Sequence, residues 1–246
     1  MSAAVAIRGL AKRYGERRVF ERFDLDVAEG ETLAILGASG CGKSTLLRCV
    51  GRLESPDAGS VAGTGEIGFV FQEPRLMPWL TVERNVAFAA RDERERARVG
   101  GVLDLVGLGA AADLLPKQLS GGMAQRAALA RSLVRSPKIL LLDEPLSALD
   151  ALLRLDLQTA IARIVRETGS TAILVTHDVD EALYLADRVI VLAGAPARAV
   201  RELRVPGDAR RSRTADLTNE RIALLAALGV VEEAPANPIT SAAGAD

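Results

Sequence analysis

The spacing of hydrophobic and polar positions along the chain predicts a mixed α/β fold. Near the start, Val5–Ile7 and Phe23–Val27 alternate apolar and polar residues, as half-buried strands of an antiparallel subdomain do. Further along, short apolar runs alternate with helical patterns, which is typical of a mostly parallel sheet with helices on both faces. The predicted strands of that sheet are Thr32–Leu36, Gly63–Phe71, Lys138–Leu142, Thr171–Thr176 and Val189–Leu192, and the predicted helices are Ser44–Leu53, Leu152–Glu167 and Asp180–Ala186.

The same pattern divides the chain into a main domain, an insert and an extension. From residue 73 to about residue 134 the pattern is helical throughout, which predicts an all-helical insert within a domain spanning residues 1–194. Residues 195–246 are rich in Ala, Arg and Pro and predict a C-terminal extension. Within it we expect a short helix at Arg221–Leu228 and disorder from Glu232 to Asp246.

Composition narrows the class of protein. The 246 residues include 31 Lys and Arg against 32 Asp and Glu, and this balance argues against a nucleic-acid binder, which would carry a basic excess. No apolar run approaches the roughly 18–20 residues that cross a bilayer. The first residues lack the order of a signal peptide, and two cysteines cannot build a disulfide framework. We therefore expect a cytoplasmic protein that would serve a membrane only as a peripheral subunit.

A glycine-rich loop between a predicted strand and a predicted helix is the first candidate site. Its sequence, GASGCGKST, has the G-x4-G-K-S spacing in which backbone N–H groups wrap the phosphates of a nucleotide. Lys43 adds a positive charge, and the hydroxyl of Ser44 is a ligand for Mg²⁺. A chance glycine-rich turn is the alternative, and it leaves the flanking strand and helix unexplained. The nucleotide-binding residues predicted here are Gly37, Ala38, Ser39, Gly40, Cys41, Gly42, Lys43, Ser44 and Thr45.

Polar residues at the ends of predicted strands supply the candidate catalytic groups. Asp143 and Glu144 end an apolar strand, where Asp143 would hold Mg²⁺ and Glu144 would act as the general base toward water. Gln72 can reach Mg²⁺ or the attacking water, and His177, the only histidine, can bond the γ-phosphate. Tyr14 is a candidate to stack on adenine. The alternative for each is an ordinary solvated or packed residue.

A second glycine element, LSGGMAQR at Leu119–Arg126, distinguishes this chain from an isolated nucleotide-binding domain. Ser120, Gly121 and Gly122 lead into a helical pattern and offer another set of N–H groups to an anion. One nucleotide cannot easily occupy both elements of the same chain. We therefore expect each chain to offer this element to the ATP of a partner, giving a homodimer that sandwiches ATP. Asp150 would lie at the dimer seam, cap the next helix, or do both.

In this order, these elements resemble the ATP-binding subunit of an ATP-binding-cassette (ABC) transporter, a P-loop NTPase with a RecA-like sheet. The resemblance covers Val5 to about Leu192. It implies that Ser120 and Gly122 contact the γ-phosphate of the partner's ATP, and that Lys43, Gln72, Glu144 and His177 serve catalysis. Ser44, Gln72 and Asp143 would then hold Mg²⁺. Met123 stands where the commonest signature has Gln, which bears on the subfamily and not on activity.

Longer stretches narrow the resemblance to one branch of importers. FVFQEPRLMPWLTVERNV and THDVDEALYLADRVIVL are similar to the importer ATPases for nitrate, aliphatic sulfonates and taurine, of which we favour aliphatic sulfonates. The resemblance implies two transmembrane permease subunits, an extracytoplasmic solute-binding protein and a peripheral position on the cytoplasmic face of the membrane. Trp79 and Leu80 would anchor a permease helix, unless Trp79 belongs to the core of the insert. An exporter ATPase or a soluble, non-transport cassette ATPase are the remaining alternatives.

Overall fold

The computed structural model describes residues 3–147, 149–207 and 216–230. Within these ranges the chain forms two sheets and a set of surrounding helices, which confirms the predicted α/β class. The strands are β1 (Ala3–Tyr14), β2 (Arg17–Ala28), β3 (Thr32–Gly37), β4 (Ala58–Gly63), β5 (Ile67–Val70), β6 (Ile139–Asp143), β7 (Thr171–Val175), β8 (Arg188–Ala193) and β9 (Arg198–Arg204). The α-helices are α1 (Lys43–Val50), α2 (Val82–Ala87), α3 (Glu93–Arg96), α4 (Val99–Leu105), α5 (Gly121–Leu133), α6 (Ala151–Thr168), α7 (Val179–Leu185) and α8 (Thr218–Ala227).

The smaller sheet is antiparallel, as predicted for the N-terminal region. Its strand order is β2-β1-β4, and β1 and β2 form a hairpin that is longer than the alternation predicted. Tyr14 and Arg17 are paired across the end of this hairpin, with Gly15 at φ +58° in the turn between them. A positive φ at this position suits glycine, which has no Cβ to clash with its own backbone. The turn therefore projects Tyr14 and Arg17 side by side from one end of the sheet.

The larger sheet positions the candidate site. Its order is β5-β6-β7-β3-β8-β9, and its first five strands run parallel, which confirms the predicted mostly parallel sheet. Because parallel strands end at one edge, Gly37, Asp143 and Val175 finish their strands together, β3 lying next to β7 and β7 next to β6. Ligands of open α/β sheets bind outside this carboxyl edge.

Two predictions about strands were wrong. The strand predicted at Gly63–Phe71 begins later, as β5 at Ile67, because Gly63 is the last residue of β4 in the other sheet. Gly65 makes the bend between them at φ +101°, where a Cβ would lie 2.8 Å from the Cβ of Lys138. The set of predicted strands was also incomplete, because β9 follows the strand predicted at Val189–Leu192 and pairs antiparallel with β8.

The region after Gly194 is therefore partly built into the main sheet, although we predicted it as an extension. Beyond β9, the short helix predicted at Arg221–Leu228 is observed as α8, whose Leu224 is fully buried. The disorder predicted for Glu232–Asp246 lies outside the described residues.

Two apolar cores hold the elements together. One lies between the smaller sheet and one face of the larger sheet, and α1 contributes Leu46 and Leu47 to it. The other covers the opposite face with α5, α6, α7 and α8 and continues into the helical region between β5 and β6. That region, residues 73–134, consists of α2 to α5 and two 3₁₀ turns, without a strand. The larger sheet, which ends at the candidate site, is therefore covered by an apolar core on both faces.

Candidate functional site

The phosphate loop runs from the end of β3 to the start of α1. At Gly37 a Cβ would lie 2.6 Å from the carbonyl oxygen of Leu192, and at Gly42, where φ is +112°, it would lie 2.5 Å from Val19 Cγ1. Both glycines are therefore required by close approach of the chain. The ammonium group of Lys43, a buried residue, donates to the carbonyl oxygens of Gly37 at 2.8 Å and Ala38 at 3.1 Å. Its charge is thereby held at the centre of the loop.

Ser44 and Asp143 meet directly. The hydroxyl of Ser44, in the first turn of α1, donates to Oδ1 of Asp143 at the end of β6, at 2.8 Å. Burial raises the pKa of the Asp143 carboxyl, and the hydrogen bond from Ser44 opposes that shift. A hydroxyl and a carboxylate are oxygen ligands of the kind that Mg²⁺ prefers. The pair of residues predicted to hold the metal is therefore adjacent and chemically suited to it.

Glu144 and His177 form a second pair beside the first. Glu144 has a positive φ of +45°, unusual for a residue with a side chain, and its N–H donates to the carbonyl of Val175 at 2.9 Å. This turn brings Oε2 of Glu144 to 3.3 Å from Nδ1 of His177, which follows β7. Strained backbone of this kind is held in place by its surroundings and is concentrated at functional sites.

Gln72 is connected to Glu144 through a serine. Nε2 of Gln72 donates to Oγ of Ser147 at 3.2 Å, and that hydroxyl donates to the carbonyl oxygen of Glu144 at 3.0 Å. The segment after Gln72 leads directly into the helical region. Gln72 therefore connects the turn that carries Glu144 to the helical region.

Helix α5 holds the segment around Gln72 in place, which the sequence did not reveal. The buried Gln125 donates to the carbonyl of Phe71 at 3.1 Å, and the guanidinium of Arg131 donates to the carbonyls of Pro74 and Arg75 at 2.7 and 2.6 Å. In the sequence, these contacts were indicated only by one polar residue, Gln125, on the side of an Ala- and Leu-rich helix that is buried. The helix that begins with the second glycine element is thus bonded to the neighbourhood of Gln72.

A cavity of about 390 Å³ lies over the phosphate loop. Tyr14 stands at its rim, where its hydroxyl donates to Glu54 and its ring lies 5.4 Å from the ammonium of Lys12. Arg17, which we did not predict, donates to the carbonyl of Gly40 at the top of the loop. The residues that line the cavity are Tyr14, Arg17, Val19, Ser39, Gly40, Gly42, Lys43, Ser44, Thr45, Gln72 and Glu144.

The second glycine element lies elsewhere. Ser120 caps α5 by accepting from the N–H of Met123 at 3.2 Å, and among the described residues none of Ser120, Gly121 and Gly122 lines the cavity. A Cβ at Gly121 would lie 3.4 Å from Leu149 Cδ2, and one at Gly122 would lie 3.4 Å from Leu153 Cδ2. Within one chain, this element packs beside the start of α6 and away from the phosphate loop.

Asp150 caps α6, which is one of the two alternatives weighed from the sequence. Its Oδ1 accepts from the N–H groups of Leu152 and Leu153 at 3.1 and 3.0 Å. The cap leaves the role at a dimer seam open, and Leu149, which precedes Asp150, is the residue that lies beside Gly121.

Trp79 lies on the surface, which argues against its belonging to the core of the helical region. Its exposed fraction is 73%, and Phe88, at the end of α2, is 65% exposed. The loop that carries Trp79 is held by the buried Asn85, whose side chain bonds main-chain atoms of Met77 and Leu80. The tryptophan is therefore presented to solvent by an ordered loop.

The family model and the relatives that match this chain agree on one family. Residues 20–147 match the family model described as ABC transporter. The chain is 51% identical over 245 residues to the aliphatic sulfonates import ATP-binding protein SsuB 1 of Xanthomonas axonopodis pv. citri (strain 306), covering 92% of this chain and 97% of that protein. It is 53% identical over 190 residues to SsuB 2 of Paracoccus denitrificans (strain Pd 1222), covering 77% of this chain and 78% of that protein.

Solved structures with the same fold are ATP-binding cassettes. One is a dimeric ATP-binding cassette in a post-hydrolysis state bound to ADP and Pi, with a TM-score of 0.71 and 33% identity, covering 82% of this chain and 99% of that one. Another is a metal-chelate type ABC transporter described as putative and inward-facing, with a TM-score of 0.74 and 26% identity, covering 83% of this chain and 84% of that one.

Proposed function

This chain belongs to the ABC transporter family, and from that premise we propose that it is the ATP-hydrolysing, energy-coupling subunit of an importer for aliphatic sulfonates. The observation that carries the ATPase activity is the convergence of three groups at one sheet edge. They are the ammonium of Lys43, the Ser44–Asp143 pair and the Glu144–His177 pair. The substrate class rests on the relatives that are named for aliphatic sulfonates and about half identical to this chain.

The phosphate loop binds the ATP phosphates. Backbone N–H groups at the N-terminus of α1 and the charge of Lys43 neutralise the phosphate oxygens. Ser44, Asp143 and Gln72 supply a hydroxyl, a carboxylate and an amide oxygen, a ligand set that fits Mg²⁺. Mg²⁺ bound there would neutralise charge on the β- and γ-phosphates. Tyr14, at the rim of the cavity, stacks on the adenine.

Glu144 and His177 carry out the chemical step. The carboxylate of Glu144 accepts a proton from a water molecule as that water attacks the γ-phosphorus. The bond from the γ-phosphorus to the β–γ bridging oxygen breaks, and ADP and phosphate leave. The imidazole of His177, 3.3 Å from that carboxylate, contacts the γ-phosphate and keeps water and phosphate in line. Gln72 links this chemistry to the helical region through Ser147 and the carbonyl of Glu144.

Two copies of the chain complete each other's sites. Ser120 and Gly122 lie outside the cavity of their own chain, at the N-terminus of a thirteen-residue helix, and the dipole at such a helix end suits an anion. They contact the γ-phosphate held by a partner copy. ATP binding closes this homodimer, and hydrolysis reopens it.

Opening and closing drive transport through other subunits. Within the described ranges, every helix is too short or too polar to span a bilayer. In this proposal two transmembrane permease subunits form the pathway, and an extracytoplasmic solute-binding protein delivers the sulfonate, as the resemblance to importer ATPases implies. Trp79, exposed on the loop after Gln72, anchors one permease helix at the cytoplasmic face of the membrane.

Growth of a deletion strain tests the proposal. We expect the host that lacks this gene to stop growing on an aliphatic sulfonate as the only sulfur source and to grow normally on sulfate. Wild-type protein should restore growth, and the Glu144→Gln variant should not. A defect confined to taurine, or to nitrate as the nitrogen source, would assign that substrate in place of the other aliphatic sulfonates. Growth unaffected on all of these nutrients would overturn the importer assignment.

A further inference from the structure

Arg154 joins two segments that the proposed mechanism uses separately. It lies in the first turn of α6, and its Nη1 donates to Oδ2 of Asp178 at 3.2 Å. Its Nη2 donates to the carbonyl oxygen of Leu149, also at 3.2 Å. A guanidinium group is planar, and the directions of its N–H donors are fixed relative to one another. The hydrogen bond to one acceptor therefore fixes the direction in which the group can donate to the other.

Asp178 fixes the turn that carries His177. Its Oδ1 accepts from the N–H groups of Asp180 and Glu181 at 2.9 and 3.1 Å and caps α7, which leaves Oδ2 for Arg154. Its own N–H donates to Oγ1 of Thr176 at 3.0 Å. The residues on both sides of His177 are thus held, and Arg154 holds one of them from outside the turn.

Leu149 belongs to the segment beside the second glycine element. Its Cδ2 would lie 3.4 Å from a Cβ at Gly121, and it directly precedes Asp150, the cap of α6. When Ser120 and Gly122 bind the partner's nucleotide, this segment is at the dimer seam. A shift of its backbone therefore moves an acceptor of Arg154.

We propose that Arg154 is a positioning residue that couples closure of the ATP-bound dimer to the alignment of His177 with Glu144. This inference rests on the proposed function, because it needs the ATP sandwich. Arg154 does not line the nucleotide cavity. Its loss lowers the rate of hydrolysis without weakening nucleotide binding, because the groups that bind ATP stay in place.

The test compares two single variants with their double variant in the full chain. Arg154→Met keeps the apolar stem of the side chain. Asp178→Ser keeps a good N-cap for α7 but removes the oxygen that accepts from Arg154. Arg163→Met is the matched control, because Arg163 is further along α6 and also bonds a main-chain carbonyl, that of Leu105.

We expect each single variant to lower kcat about tenfold or more, with KM for ATP within about threefold of the parent. The kcat of the double variant should be no lower than that of the less active single variant, because both substitutions remove the same contact. Arg163→Met should stay within about twofold of the parent. A kcat for Arg154→Met within about twofold of the parent, or single losses that multiply in the double variant, would overturn the proposal.

A dimerisation assay distinguishes failure of this inference from failure of the proposed function. In a Glu144→Gln background, Arg154→Met should still form a dimer in MgATP by size exclusion. Loss of that dimer only when Arg154 is replaced would overturn the coupling role, since Arg154 would then be needed for closure itself. Absence of a dimer in Glu144→Gln alone would contradict the proposed function. If thermal melting shows that Arg154→Met does not fold stably, the kcat and KM of Asp178→Ser are compared with the parent instead, and the limits given above for a single variant apply.

Discussion

Oε2 of Glu144 lies 3.3 Å from Nδ1 of His177, although the two residues follow different strands of the sheet. Two neighbouring parallel strands, β6 and β7, end side by side and bring them together. The positive φ of Glu144 turns its carboxylate toward the imidazole and the cavity. The residues that we propose as the general base and as the contact to the γ-phosphate are therefore placed by the sheet itself.

Removing the base should abolish turnover and leave binding intact. Glu144→Gln keeps the shape of the side chain but cannot accept the proton of water, so kcat should fall by about 10²–10⁴ while ATP affinity is retained. Steady-state ATPase assays and equilibrium ATP binding measure the two effects. Glu167→Gln, on the exposed side of α6, serves as the control and should behave like the parent. Turnover of Glu144→Gln near the parent rate would remove Glu144 from this role.

Tyr14 should affect the affinity for ATP more than the rate. Because an aromatic stack contributes about 0.5–1.5 kcal/mol, Tyr14→Ala should raise KM for ATP by about two- to tenfold with little change in kcat. Tyr14→Phe removes the hydrogen bond to Glu54 but keeps the ring, so its KM should remain near the parent value. An equal rise in KM for both variants would show that the contact with Glu54 matters and the ring does not.

Cys41 should be an alkylation site that MgATP protects. It is half-buried within the phosphate loop, and adding a group there should abolish ATP hydrolysis. Cys49 is buried in α1, and burial raises the pKa of its thiol, so it should react far more slowly. Mass spectrometry of labelled protein distinguishes the two, with Cys41→Ser as the resistant control. Equal labelling of Cys41 with and without MgATP would contradict the loop's role in binding.

Glu181 should make stability depend on pH. Burial raises the pKa of its carboxyl from 4.5 to about 7, despite the hydrogen bond from Thr176 at 2.6 Å. The folded state therefore binds this proton more tightly than the unfolded state, and its stabilising effect is lost as pH rises from about 4.5 through about 7.

The Glu181→Gln variant isolates that contribution, because its amide does not titrate. Relative to the variant, the parent should lose on the order of 1–3 kcal/mol of unfolding free energy between pH 5 and about pH 9. Urea unfolding at several pH values measures the difference. The charged groups facing Glu181 are Asp178, Arg154 and Glu144. An identical pH dependence in parent and variant would show that Glu181 does not titrate in this range.

The sequence predicted what depends on local pattern. The phosphate loop follows from a fixed spacing between a strand and a helix, and the ends of β6 and β7 follow from apolar runs that stop at Asp143 and close to His177. The placement of Ser120 and Gly122 away from their own chain's cavity was also expected, since two anion-binding elements compete for one nucleotide. The comparisons confirm the resemblance to ABC transporter ATPases on which these roles depend.

Contacts between distant segments could not be predicted. The split between β4 and β5 depends on how closely Gly65 approaches Lys138, and β9 was missed because its arginine-rich sequence does not read as a strand that pairs with β8. Likewise, nothing in the sequence singled out Arg154 or Arg131 among the charged residues of the helices. Their main-chain acceptors become visible only when the helices are packed.

Dimerisation of the Glu144→Gln variant, with and without Gly122→Asp, tests the central claim most directly. In MgATP, Glu144→Gln should elute as a dimer, because ATP is bound but not hydrolysed. Adding Gly122→Asp should leave a monomer that binds ATP with unchanged affinity, because the new carboxylate would repel only the partner's γ-phosphate. An undiminished dimer, or a monomer that no longer binds ATP, would contradict a nucleotide site shared between two chains.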